Sequence, residues 1–212
     1  MKLELQPYQY MQIREIIADL IHSYQSVSDV RTIQTIRAIA VEKIKQTITG
    51  DYPEIDVLIK YALNDHLRHG TADKLFANLK SDVIPFVQPS KKQVGKVFHK
   101  IKKLKVPDFE TIDLRECTFV GWNDLGTRRK FMLYYEDDQL RGISGDISSA
   151  VVKGFCAICH HESNVALFTA ITKRGSEGQY TKKGNYICTD SMRCNQQLCS
   201  RTELDDFLDT IN

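Results

Sequence analysis

The chain has no uninterrupted run of roughly 18 apolar residues, which excludes a helix long and greasy enough to cross a bilayer. Its opening stretch, MKLELQPYQYMQIREIIADL, lacks the apolar core and small-residue cleavage pattern of a signal peptide, so a cytosolic protein is expected, with no membrane contact. Also missing are a glycine-rich phosphate loop, a GxSxG elbow and an HExxH helix. Their absence removes the common sequence signals of an enzyme, and no catalytic residue and no small-molecule substrate are assigned. A dominant charge sign is lacking as well: 29 Lys and Arg stand against 27 Asp and Glu, a formal net charge of +2. Global charge therefore selects no partner.

What the chain does have is cysteine in a metal-binding arrangement. Cys156 and Cys159 form a CAIC pair, and Cys188 and Cys194 close a CTDSMRC pair. Each pair can fold its sulfurs toward one point, and the 28 residues between Cys159 and Cys188 can bring the two points together, as a tetrahedral Zn²⁺ site requires. Four thiolates fill the shell and leave no position for a reactive water, so the one zinc ion expected is structural. Four deprotonated ligands and one Zn²⁺ together subtract two charges, bringing the formal +2 to about zero. A CxxC can also be a redox pair, but that motif opens a long helix, whereas CAIC is followed by the turn-like His160, His161, Glu162 and Ser163. The five residues between Cys188 and Cys194 exceed the common spacing, which leaves His160, His161 or Cys199 as alternatives for one ligand. Cys117 has no partner nearby and reads as core.

At 212 residues with 42% hydrophobic side chains, two domains are the natural expectation. We place them at 1–83 and 84–212. In the first, Tyr10, Ile13, Ile17, Leu20 and Tyr24 recur at helical spacing, as do Ile33, Ile36, Ala40 and Ile44. Ile55, Leu58, Ile59 and Ala62 start a third helix, on which His66 and His69 would follow as surface or capping residues, and Thr71 would cap a fourth helix holding Leu75, Phe76 and Leu79. Four such stripes with short connections bury themselves economically as an antiparallel helical bundle.

Beyond residue 90 the pattern changes. Seven lysines and no acid lie between Lys91 and Lys105, interleaved with Val94, Val97, Phe98, Ile101 and Leu104. Ser90 and Gln93 form a capping box, so the segment predicts a basic amphipathic helix ending before Pro107. Its face can meet phosphate, an acidic protein or only water. Strands are expected over 117–122, 130–135, 140–143, 151–155 and 165–172, with Glu136, Asp137 and Asp138 in a hairpin turn and a loop over 173–183. A knuckle, a hairpin and a helix bearing the last ligand make a treble-clef-like zinc finger at about 151–200. Thr202 with Asp205 opens a last helix containing Leu204, Phe207 and Leu208. The fold class is thus α+β, an antiparallel helical bundle followed by an α/β domain carrying a treble-clef-like four-cysteine zinc finger.

The helical front half, the segment SKKQVGKVFHKIKKLKVPD, the strand WNDLGTRRKF and the finger GFCAIC followed by NYICTDSMRCNQQL together resemble the fusidic acid resistance proteins of the FusB/FusC type. The likeness runs over essentially the whole chain. It implies binding to bacterial elongation factor G, a translational GTPase, and its release from ribosomes on which fusidic acid has locked it, leaving the drug intact. It also implies a partner-binding surface on the zinc-bearing domain at Phe155, Lys183, Tyr186 and Phe207. Aromatic residues and a lysine suit such a surface, with Lys173, Arg174 and Lys182 as further charges, but Phe155, Tyr186 and Phe207 could equally pack around a small zinc core. Exposure decides between the two. A zinc-dependent ribosome- or RNA-binding protein, using Lys91–Lys105 with Arg128, Arg129 and Lys130 on ribosomal RNA phosphates, is the competing reading.

Overall fold

A computed structural model describes residues 2–174 and 180–211, which divide into two compact units, Met1–Pro85 and Phe86–Asn212.

The first unit is helical: α1 (Pro7–Ser26), α2 (Val30–Thr47), α3 (Pro53–Ala62) and α4 (His69–Leu79). Proline at the first position starts α1 and α3, where its missing N–H costs nothing. At the start of α2, the Asp29 carboxylate accepts from the Thr32 N–H at 2.7 Å and its hydroxyl at 2.6 Å. Most of the expected apolar stripes form the core: Tyr10, Ile13, Ile17 and Leu20 of α1, Ala40 and Ile44 of α2, Ile55, Leu58 and Ile59 of α3 and Phe76 of α4 are buried, whereas Tyr24, Ile33, Ile36 and Leu75 are only half-buried. The Tyr10 hydroxyl reaches the Phe76 carbonyl at 3.2 Å and the Tyr24 hydroxyl the Ala62 carbonyl at 2.7 Å, so the two aromatic residues tie the helices together.

Two local expectations are corrected. The fourth helix starts at His69 with Arg68 at its N-cap, two residues ahead of Thr71. His66 and His69 share no helix face, because α3 ends at Ala62 and the Asn64 side chain accepts from the His66 N–H at 2.9 Å, making an Asx turn between them.

The second unit is built on a five-stranded antiparallel sheet in sequence order: β1 (Val120–Asp124), β2 (Arg129–Glu136), β3 (Gln139–Phe155), β4 (Glu162–Arg174) and β5 (Tyr180–Cys188). Asp137 and Asp138, at φ of 45° and 57°, form the tight left-handed turn that joins β2 to β3. The acidic cluster is therefore a hairpin turn at Asp137 and Asp138, with Glu136 paired to Gln139 as the last residue of β2. The two strands expected over 140–143 and 151–155 are one 17-residue strand, because the irregularity between Ile147 and Val151 is a bulge that bends the ladder without ending it. Pairing of Arg174 with Tyr180 likewise carries the β4–β5 hairpin into the expected loop. Residues 175–179 of that loop, and the side chains of Lys173 and Arg174, lie outside the described residues.

The basic helix α5 (Lys91–Val97) opens on the expected Ser90 and Gln93 box but is only seven residues long. Phe98 leaves the helical region and the chain continues in turns, with Lys103 at φ 56°. Lys92, Lys96 and Lys100 would stack at four-residue spacing on a longer helix and repel one another. Bending instead keeps Val94 and Phe98 buried against Phe131, whose ring centroid lies 5.3 Å from that of Phe98. Two further helices, α6 (Ser191–Gln197) and α7 (Arg201–Ile211), follow β5. The latter begins one residue before Thr202, with Arg201 Nε bonded to the Asp205 carboxylate at 2.7 Å.

Strand β2 is covered on both faces. Phe131 and Leu133 point into the core shared with Val94, Phe98 and Phe109, whereas Met132 and Tyr134 point into the core shared with the four finger cysteines, Leu204 and Phe207.

Candidate metal centre and interaction surface

The first ligand pair sits in a knuckle that backbone chemistry shapes. Where β3 ends, the Cys156 N–H bonds the His161 carbonyl at 3.0 Å and the His160 N–H returns to the Cys156 carbonyl at 2.9 Å, with His160 at φ 55°. Cys188 ends β5 directly opposite Val165. The last ligand comes from α6, whose N-cap Asp190 accepts from the Met192 and Arg193 N–H groups at 2.8 and 3.2 Å. The long spacer between Cys188 and Cys194 is thus a cap plus the first helical turn.

The four sulfurs meet. All four cysteines are buried, and their Sγ atoms lie within 4.8 Å of one another. Cys156 and Cys194 are 3.8 Å apart, as are Cys159 and Cys188. A tetrahedron of Zn–S bonds of about 2.3 Å has edges of about 3.8 Å, whereas a disulfide needs about 2.05 Å. The donor set and its spacing fit one zinc ion. Cys156 Sγ also accepts from the Ile158 and Cys188 N–H groups, each at 3.3 Å. Hydrogen bonds from the Cys159, Cys188 and Cys194 thiols push the Cys156 thiol far below its ordinary value. Bonding to Cys156, and then to Cys188, holds the Cys159 proton on, and Cys194 is raised in the same way with burial adding to it. A divalent cation removes the conflict by letting all four sulfurs ionise together.

The alternative ligands stand elsewhere. His161 Nδ1 lies 2.6 Å from the Cys159 carbonyl, His160 Nδ1 lies 3.8 Å from the Glu203 carboxylate, and neither these nor Cys199 belongs to the cluster found among the described residues. Cys117 is buried, with its thiol 3.7 Å from Met192 Sδ.

Residues that sequence reasoning missed, or in the case of Lys130 misread, hold the finger to the sheet. Asn195, next to the last ligand and 1% exposed, accepts from the Thr118 and Phe119 N–H groups at 2.7 and 3.2 Å and donates to the Phe119 and Ser191 carbonyls at 2.9 Å. Asn123 Nδ2 and Lys130 Nζ both donate to the carbonyl of Thr189, the residue after Cys188, at 2.9 and 3.2 Å. Lys130 is 1% exposed, so its grouping with Arg128 and Arg129 as a phosphate contact is withdrawn. Burial lowers its pKa, and the nearby Cys194, Cys188, Asp190 and Cys156 act in the opposite direction. Its neighbours in sequence, all of them charged or apolar in ways common to strands, carry no signal of this.

Exposure now separates the four surface candidates. Phe155 is 73% and Tyr186 46% exposed, and Lys183 is exposed too. Phe207 is not: it is 3% exposed, its ring centroid 6.2 Å from that of Phe168. The amphipathic face of α7 turns Phe207 inward with Leu204, Leu208 and Ile211, which makes it core. Strand pairing sets Lys183 opposite Ala170 and Tyr186 opposite Leu167, so these two side chains leave opposite faces of the sheet. A cleft beside the first ligand pair is lined by Phe155, Ala157, His160, Asn185 and Asp206, with Phe207 in its wall.

No curated protein matches the chain at a significant level. Residues 4–87 match the family described as elongation factor G-binding protein, N-terminal, and residues 90–208 match the FBP C-terminal treble-clef zinc finger. Among solved structures, that of the fusidic acid resistance protein FusC superposes with a TM-score of 0.93 at 36% sequence identity, covering 100% of this chain and 99% of that one. A buried cysteine quartet on a knuckle, a hairpin and a helix, following four helices in the chain, thus occurs in a protein that belongs to the family of elongation factor G-binding proteins with a carboxyl-terminal treble-clef zinc finger.

Proposed function

We propose that this protein binds bacterial elongation factor G in the cytosol and promotes its release from ribosomes stalled by fusidic acid, giving resistance by protecting the target. The observation that carries the reading is the full-length similarity to FusC, a protein named for fusidic acid resistance. The zinc centre supports it as a scaffold: bound zinc supplies a cross-link among four sulfurs, and the shell they complete leaves no open position for substrate. Around that scaffold Phe155, Tyr186 and Lys183 are presented to solvent, two aromatic anchors and a steering charge of the kind that dominate protein interfaces. Phe207 acts by shaping the cleft beside Phe155.

A binder reverses a drug-stabilised state only through differential affinity. Equal binding to the locked and free forms of the factor shifts nothing, so the protein must favour the conformation that leaves the ribosome. The decisive measurement is the dissociation rate of elongation factor G from fusidic-acid-stalled ribosomes with and without the protein. The rate rises and the drug is recovered unchanged; an unaltered rate, or a modified drug, refutes the reading. In pull-downs with the purified factor, Lys183→Ala and Tyr186→Ala weaken capture while retaining stoichiometric zinc.

A second contact is proposed for the basic segment. All seven lysines of Lys91–Lys105 are exposed, and no acid interrupts them. They suit ribosomal RNA phosphates, and binding through them falls steeply as salt rises.

A further inference from the structure

Lys130 poses a problem that the proposed function does not touch. It lies near the start of β2, paired between Asn123 of β1 and Gly145 of β3, and is among the largest fully buried side chains. Its ammonium has two hydrogen bonds, to Asn123 Oδ1 at 3.3 Å and the Thr189 carbonyl at 3.2 Å, both neutral acceptors. Among the described residues no carboxylate forms an ion pair with it; Asp190, the nearby anion, is engaged in capping α6. Desolvating an ammonium costs far more than two neutral hydrogen bonds return, so a buried lysine keeps its charge only with an anion close by.

The anion is on the same side of the sheet. Lys130 has the strand parity of Met132 and Tyr134, which pack in the cluster that contains Cys156, Cys159, Cys188 and Cys194. Four thiolates and one Zn²⁺ leave a centre with two net negative charges, itself buried. The backbone donors found for it among the described residues are the two N–H groups on Cys156 Sγ. A buried cation whose one neighbouring carboxylate, Asp190, is bonded to the start of α6, and a buried dianion with few donors, each explain the other.

We infer that Lys130 is the counter-ion of the zinc tetrathiolate centre, its ammonium offsetting the charge of the loaded cluster and so setting how tightly the metal is kept. The carbonyl it holds follows the third ligand directly, so the same side chain also orients the Cys188 segment. The role is one of positioning and charge compensation; Lys130 touches neither metal nor partner.

The test separates charge from bracing. In the full-length protein, Lys130→Gln keeps a donor for the Thr189 carbonyl and removes the charge, whereas Asn123→Ala removes a bond to that same carbonyl and leaves the charge. Zinc transfer to 4-(2-pyridylazo)resorcinol is timed for each, and the sulfur-to-metal charge-transfer bands are recorded after substitution with Co²⁺. Lys130→Gln is expected to release zinc roughly 10- to 100-fold faster, the range seen when outer-shell partners of a metal are lost. Its bands should move to lower energy, because thiolates without a neighbouring cation give up electron density more easily. Asn123→Ala should keep its bands in the wild-type position. Wild-type release, or faster release with unmoved bands, overturns the assignment. Should Lys130→Gln fail to fold, Lys130→Arg decides: a folded, zinc-retaining arginine variant upholds the charge role, and one that also fails makes Lys130 a packing strut.

Discussion

Phe155 and Phe207 show how much turns on the burial of one side chain. Phe155 stands 73% exposed, so Phe155→Ala should change stability by no more than about 0.5 kcal/mol while weakening capture of elongation factor G. Phe207 is 3% exposed against Phe168, and Phe207→Ala should cost about 3–5 kcal/mol through a lost core side chain and the cavity it leaves. Denaturant titration of both variants beside the pull-down checks the pair; any binding defect in Phe207→Ala should follow its loss of structure. At the ligands themselves, Cys188→Ser should lose zinc by elemental analysis, since three thiolates cannot complete the shell. Both effects are readable from chemistry and burial together. The sequence identifies sulfur and aromatic groups, but which aromatic faces water depends on α7 folding back over the sheet.

At the scale of elements, the contact between α5 and the sheet rests on a glycine. A Cβ on Gly142 would lie 2.6 Å from Val97 Cγ1 and 2.7 Å from Phe98 Cζ, with the Met132 carbonyl at 3.0 Å behind it. Gly142→Ala should therefore push α5 away from β3 and cost about 1–3 kcal/mol, seen as a lower denaturation midpoint at unchanged slope. Docking of α6 rests on Asn195. Asn195→Ala leaves the Thr118 and Phe119 N–H groups without their side-chain acceptor, at about 1–3 kcal/mol for each group stranded in the interior. Helix and turn starts with local chemistry were legible: the Ser90 and Gln93 box and the Asp137 and Asp138 turn are where the residues place them. The end of α5 and the unbroken β3 were not. The first follows from lysine repulsion and the pull of Phe98 into the core, and the second from ladder pairing with β4 that holds through Ile147 and resumes at Val151 beyond the bulge at Ser148 and Ser149.

For the molecule as a whole, the division at Pro85 and Phe86 makes a prediction about independence. Cys188→Ser should speed hydrogen exchange through β4, β5 and α6 while the amides of α1–α4 keep their protection, because the bundle's core contains no metal ligand. Equal loss of protection in both units would show that they fold as one. For the ribosomal RNA contact proposed for the basic segment, exchange of Lys100, Lys102 and Lys103 for glutamine should flatten the salt dependence without altering zinc content. By itself, the sequence determined the helical front half, the two cysteine pairs as the main ligand set and the sharp turns, since periodicity, ligand chemistry and backbone restriction act between near neighbours, whereas the meeting of the four sulfurs apart from His160, His161 and Cys199 came from the fold. Tertiary structure alone decided that Phe155 is outside, that Phe207 is inside, and that a lysine read as surface charge is sealed under the carbonyl after Cys188. Burial is conferred by segments distant in the chain, here α7 over Phe207 and the chain after Cys188 over Lys130, and no local pattern encodes which distant segment will arrive.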